Sequence, residues 1–126
     1  MLNLAVVLED SARNVPDRDA VVHGRTRLTY AELEAKASQV AAGLAARGIG
    51  PGDRVALSCP NLPYFPVVYY GILKAGATVV PLNILLTERE IAYHLEDSAA
   101  RAYFCFEGTP ELPTGQAGRT AFDSIE

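Results

Sequence analysis

The sequence predicts an α/β fold, a parallel-sheet βαβ subdomain with flanking helices. Between residues 54 and 106 the pattern runs strand, helix, strand, helix, strand. The strands are apolar throughout rather than alternating, as strands covered on both faces are. Each intervening helix is followed closely by the next strand, so right-handed crossovers build a parallel sheet.

The elements follow in order. Residues 4–14 predict a first helix, with Leu4, Val7, Leu8 and Ala12 as its stripe and a stop before Pro16. Ala20–Val22 and Arg27–Thr29 predict short strands, turning through His23-Gly24-Arg25. Thr29-Tyr30-Ala31-Glu32 is a capping box: the hydroxyl accepts from the Glu32 N–H while the carboxylate reaches back to the Thr29 N–H. The helix it opens places Leu33, Ala37, Val40, Ala41 and Leu44 on one face and ends at Gly48. This helix, 30–47, is expected to pack on the parallel sheet.

Gly50-Pro51-Gly52-Asp53 is a turn and Val55–Cys59 a buried strand. A helix over 63–75 closes at Gly76, and Pro66 in its first turn predicts a late or distorted start. Ala77–Val80 is a second buried strand. Thr87-Glu88-Arg89-Glu90 repeats the capping box and opens a helix to about Asp97. Arg101–Phe106 is a third strand. At 126 residues the chain has the length of one domain. Residues 1–106 are expected to form it. Residues 107–126, rich in Gly, Pro and Thr, are expected to be a linker or an incompletely ordered segment.

Composition narrows the function classes. Hydrophobic residues make up 49% and charged residues 21%, the balance of a chain with a core rather than a disordered one. The net charge is −4 and no two Lys or Arg are adjacent, so neither nucleic acid nor an anionic membrane is an expected partner. Val55–Leu73 is uncharged over 19 residues, but Pro60, Asn61, Pro63 and Pro66 break it, and a broken backbone is not satisfied in lipid. No transmembrane segment is expected, nor a signal peptide. Cys59 and Cys105 are too few for a disulfide framework and sit in apolar surroundings, which reads as reduced, buried and cytoplasmic.

The strands should end at Cys59-Pro60-Asn61, Pro81-Leu82-Asn83 and Phe106-Glu107-Gly108, where a parallel sheet places ligands. None of these is a phosphate loop. Gly48-Ile49-Gly50-Pro51-Gly52 lies after a helix and before a strand, the wrong order for holding a phosphate on a helix N-terminus. His94, Glu90 and Asp97 could share a helix face, which reads as a surface ion cluster rather than a metal site. His23 has no partner visible in sequence. Tyr64, Phe65, Tyr69 and Tyr70 read as core, with the wall of an acyl pocket as the functional alternative.

Leu28-Thr29-Tyr30-Ala31-Glu32-Leu33 resembles the first core motif of adenylate-forming enzymes, and Leu73-Lys74-Ala75-Gly76-Ala77-Thr78-Val79-Val80-Pro81-Leu82-Asn83 the second. Between them, Gly48–Ala56 and Asn61 occur where that family has them. The ordered set spans roughly residues 1–106. Within the family the chain is most similar to fatty-acid–CoA ligases, through Leu86-Thr87, Glu90, Tyr93, Leu95 and Asp97-Ser98. Peptide-synthetase domains usually carry Asp where Asn83 stands.

The resemblance implies the N-terminal scaffold fragment of an acyl-CoA-synthetase-like large domain. Such an enzyme activates a fatty acid with ATP and Mg²⁺ to acyl-AMP and pyrophosphate, then transfers the acyl group to coenzyme A. Adenylation of another acid, aryl or amino, and a stand-alone α/β interaction module are the alternatives. The Ser/Thr/Gly-rich loop ending in Pro-Lys-Gly and the later ATP-binding motifs do not occur in positions 1–126. No catalytic, cofactor-binding or metal-binding residue is therefore expected here, and the segment alone is expected to be inactive. Homodimer formation and peripheral membrane attachment stay open.

Overall fold

A computed structural model of the chain describes residues 2–125. The chain divides into two compact units. One comprises residues 1–52 and 61–78, the other residues 53–60 and 79–126.

The first unit begins with α1 (Ala5–Asn14), followed by the hairpin of β1 (Asp19–His23) and β2 (Thr26–Thr29). The hairpin is antiparallel, with an irregular step between Asp19 and Val21. Next come α2 (Tyr30–Ala46) and α3 (Tyr64–Lys74). The capping box of α2 is formed as the sequence predicts: the Glu32 N–H donates to Thr29 Oγ1, and the Thr29 N–H donates to Glu32 Oε2. Leu8, Leu33 and Ala37 form the core, flanked by Ala20, Val21, Tyr30, Val67 and Tyr70. Within this unit α2 packs against α3, α1 and the hairpin. α2 and α3 meet closely at Gly71, where a Cβ would sit 2.5 Å from Val40 Cβ.

α3 starts at Tyr64 with Pro66 inside its first turn, so the predicted late start is not found. The first N–H groups of a helix have no intrahelical acceptor, so proline costs little there. The Leu62 carbonyl, one turn back from Pro66, accepts from Phe65 instead. At its other end α3 closes in a Schellman motif, in which the Ala77 N–H reaches the Ile72 carbonyl and the Gly76 N–H the Leu73 carbonyl. Gly76 has φ +82°, and a Cβ there would meet Pro51 Cγ at 2.9 Å. Both conformation and space demand glycine.

The second unit holds the sheet, with strands β3 (Arg54–Ser58), β4 (Thr78–Pro81) and β5 (Ala102–Cys105) in the order β4-β3-β5. β3 and β5 run parallel, pairing Val55 with Ala102 through Ser58 with Cys105. Val55, Ala56, Leu57 and Ser58 are all buried, so both faces of the central strand are covered, as its continuous apolar run predicts. α4 (Glu88–Ser98) opens on the second capping box, Thr87 with Glu90. It also closes in a Schellman arrangement, but with an alanine in the left-handed position: Ala99 has φ 52°.

The linker predicted for 107–126 is corrected over most of its length. Thr114–Ser124 is a helix, α5, and it packs against α4 and β5. Thr114, Gly118 and Ala121 are its buried residues, at the i, i+4, i+7 spacing of one helix face. A Cβ on Gly118 would lie 2.6 Å from Cys105 Sγ, and one on Gly115 2.2 Å from the Glu107 carbonyl oxygen. The glycines that resemble a linker in composition provide the bare face on which the helix lies. Ala56, Ile91, Leu95 and Ala121 form the core of this unit.

Candidate functional site

The carboxyl ends of the strands are tied up by their own chain. At β5, the Phe106 N–H donates to the Ser58 carbonyl, and the Phe106 carbonyl accepts from Thr114 Oγ1. The Gly115 N–H donates to the Glu107 carbonyl. After β4, the Leu82 N–H donates to the Leu57 carbonyl, and Asn83 Oδ1 accepts from the Leu85 N–H. These groups shape turns and present no row of converging donors.

The helix starts are equally committed. Thr29 and Glu32 cap α2, and Thr87 and Glu90 cap α4. α3 carries Pro63 and Pro66 at its start, and α5 follows Pro113 with its Gly115 N–H already donated. A triphosphate needs several free N–H groups or cations aimed at one point. Among the described residues, the strand ends and helix starts named above offer no such set. Among the described residues, no group of three or more His, Cys, Asp or Glu side chains is placed to hold a metal ion.

The side chains that the sequence singles out have structural partners. Glu90 accepts from Thr87 N–H and Oγ1, and those bonds hold its carboxyl below the ordinary value, with a smaller contribution from His94. The His94 ring stands edge-on to Tyr93 at 5.4 Å. Phe65 stacks on Tyr69 and Tyr69 meets Tyr70 edge-on, while Tyr70 packs beside the first unit's core and Tyr64 stays 66% exposed. Both cysteines are free. Burial first, then the charge of Cys105, pushes the Cys59 thiol above its usual range, away from a nucleophilic thiolate. Ser58 Oγ and Tyr103 OH share a 2.7 Å hydrogen bond beneath α5. Burial, then hydrogen bonding to Cys105, pushes the Tyr103 phenol up, outweighing the opposite effect of Ser58.

One charged side chain, that of Lys74, is largely withdrawn from solvent. Its ammonium bridges Glu9 of α1 at 3.0 Å and Glu34 of α2 at 2.5 Å, with only 12% of the side chain exposed. Its signal in the sequence is isolation, since it is the sole charge between Val55 and Thr87. Glu34 Oε2 is buried and accepts no hydrogen bond. The triad joins three helices and offers no open coordination position or reacting pair.

The profile of the family described as AMP-binding enzyme matches residues 8–124. The chain belongs to the AMP-binding enzyme family.

Relatives within the family include the long-chain-fatty-acid–CoA ligase of Bacillus subtilis, 41% identical over 95 residues, which cover 75% of this chain and 17% of that protein. The long-chain-fatty-acid–CoA ligase FadD13 of Mycobacterium tuberculosis is 38% identical over 125 residues, covering 98% of this chain and 24% of that protein. Among solved structures, a benzoate CoA ligase from Burkholderia xenovorans superposes with a TM-score of 0.85 at 29% identity, over 99% of this chain and 24% of the other. The chain spans about a sixth to a quarter of the length of these AMP-binding relatives. No described helix is long and apolar enough to cross a membrane.

Proposed function

We propose that this chain forms the N-terminal scaffold of a fatty-acid–CoA ligase. That enzyme would couple ATP cleavage to formation of an acyl-adenylate and pyrophosphate, then hand the acyl group to coenzyme A. The observation that carries the reading is the 38% identity to a fatty-acid–CoA ligase over 125 residues. In this reading fatty acid, ATP, Mg²⁺ and coenzyme A meet residues outside positions 1–126. This chain contributes no catalytic, cofactor-binding or metal-binding side chain, and its setting is cytoplasmic. Its role is structural, carried by capping boxes, Schellman closures and a covered central strand. A second reading, an aryl acid as substrate, is favoured by the fit to the benzoate CoA ligase.

The test is a chimera. Residues 1–125 replace the matching N-terminal quarter of the mycobacterial ligase, and acid-dependent ATP–pyrophosphate exchange is measured with fatty acids of graded length and with benzoate. Exchange by the chimera with fatty acids, and none by the 126-residue chain alone, is the expected result. Acyl-adenylate formation by the chain alone would overturn the scaffold role. A folded chimera that uses only benzoate would favour the aryl reading.

A further inference from the structure

The first unit carries an open cleft of about 630 Å³ that the scaffold role does not use. Its volume falls within the range of small-molecule sites, roughly 300–1,000 Å³. Three elements build it. β2 and the turn before it contribute His23, Thr26 and Leu28. α2 contributes Lys36, Gln39 and Val40, which share one face through their i, i+3, i+4 spacing. The start of α3 adds Leu62, Pro63, Tyr64 and Val67.

The chemistry of the lining is asymmetric. Leu28, Val40, Leu62 and Val67 are half-buried and make an apolar floor. His23, Lys36, Gln39 and Tyr64 are exposed at the rim, and among the described residues none of these side chains has a hydrogen-bond or ion-pair partner. No Asp or Glu lines the cleft. In a chain of net charge −4, this places one uncompensated ammonium, an imidazole and two neutral hydrogen-bonding groups around an apolar floor.

We propose that this cleft binds a small amphipathic carboxylate, its acid group on Lys36 and its compact aromatic or branched body on the floor beside Tyr64. Lys36 supplies the charge that selects an anion. Gln39 and His23 offer donors to the second carboxylate oxygen. Tyr64 lines the cleft and offers the body a ring with one polar end. A charge-assisted hydrogen bond outweighs a neutral one, so the acid is preferred over its alcohol. The site is independent of the ligase reading, which assigns no residue of this chain to substrate.

The experiment titrates the 126-residue chain with sodium benzoate and, in parallel, with benzyl alcohol, followed by amide chemical shifts in two-dimensional NMR. Saturable shifts confined to the hairpin turn, the middle of α2 and the start of α3 are expected with benzoate. Lys36→Gln should weaken benzoate about tenfold, the worth of one charge-assisted hydrogen bond, and leave benzyl alcohol unchanged. Tyr64→Ala should weaken both ligands. Both positions are exposed, so the remaining spectrum reports whether each variant is folded. Linear shifts scattered over the surface, equal benzoate binding by Lys36→Gln, or cleft shifts that depend on protein concentration without ligand would each overturn the proposal. The last outcome would mean that a second copy of the chain occupies the cleft.

Discussion

Replacing Lys74 with methionine tests whether the triad of Lys74, Glu9 and Glu34 holds the three helices of the first unit together. The substitution keeps the length and the apolar stem but removes the ammonium. Glu34, with 25% of its side chain exposed, then loses its cation while its second oxygen already lacks a donor. Glu9, 41% exposed, loses a partner that water largely replaces. Stranding one member of a fully buried pair costs about 3–5 kcal/mol, whereas an exposed pair is worth about 0.2–1. The triad lies between these limits, nearer the buried one at Lys74, so the expected loss is about 2–3 kcal/mol.

Urea denaturation followed by circular dichroism at pH 7 measures it. The double variant Lys74→Met with Glu34→Gln should recover about 1 kcal/mol or more of that loss, because the stranded charge is gone. The pH dependence has a definite sign. Burial alone would lower the Lys74 pKa, but hydrogen bonds and charge from Glu34 and Glu9 outweigh it and hold the pKa above its ordinary 10.5. A group raised in the folded state stabilises fully below its unfolded pKa and loses that contribution as pH rises through the folded value. The gap between wild type and Lys74→Met should stay constant from pH 7 to about 10 and narrow above 10.5. A variant as stable as wild type at pH 7, or a double variant that is simply the sum of the singles, would refute the reasoning.

Three further outcomes are expected. Ala99→Gly should stabilise the chain by about 0.5–1 kcal/mol, since it relieves a left-handed alanine that closes α4; a lower melting temperature would contradict this. Gly118→Ala should loosen α5, because the added methyl meets Cys105 Sγ at 2.6 Å and Tyr103 OH at 3.0 Å; limited proteolysis should cut faster between residues 108 and 124, and unchanged protection would count against α5 docking through its bare face. Glu90→Gln should flatten the acid limb of the stability profile. The Glu90 carboxyl is held below 4.5 by its bonds to Thr87, so its contribution is present above that pH and fades as pH falls; identical acid limbs for wild type and variant would argue against the capping role.

Local rules written in the sequence determined both capping boxes, the glycine closures at Gly48 and Gly76, the hairpin around Gly24, the apolar central strand and the order of the elements. Each depends on residues within a few positions of one another, or on a period, so the chain itself carries the information. The family was legible for the same reason, because its motifs are short, ordered segments. Tertiary structure alone decided the rest. The helix at Thr114–Ser124 exists because Gly115 and Gly118 are bare where Glu107, Cys105 and Tyr103 approach, and composition cannot reveal a distant surface that needs a missing Cβ. Lys74 meets Glu9 and Glu34 across separations of 65 and 40 residues, which no local pattern encodes. The cleft around Lys36 joins a hairpin, a helix face and a helix start in the same way. Contacts between segments distant in the chain are set by how helices and strands pack, and only the folded chain brings their side chains together.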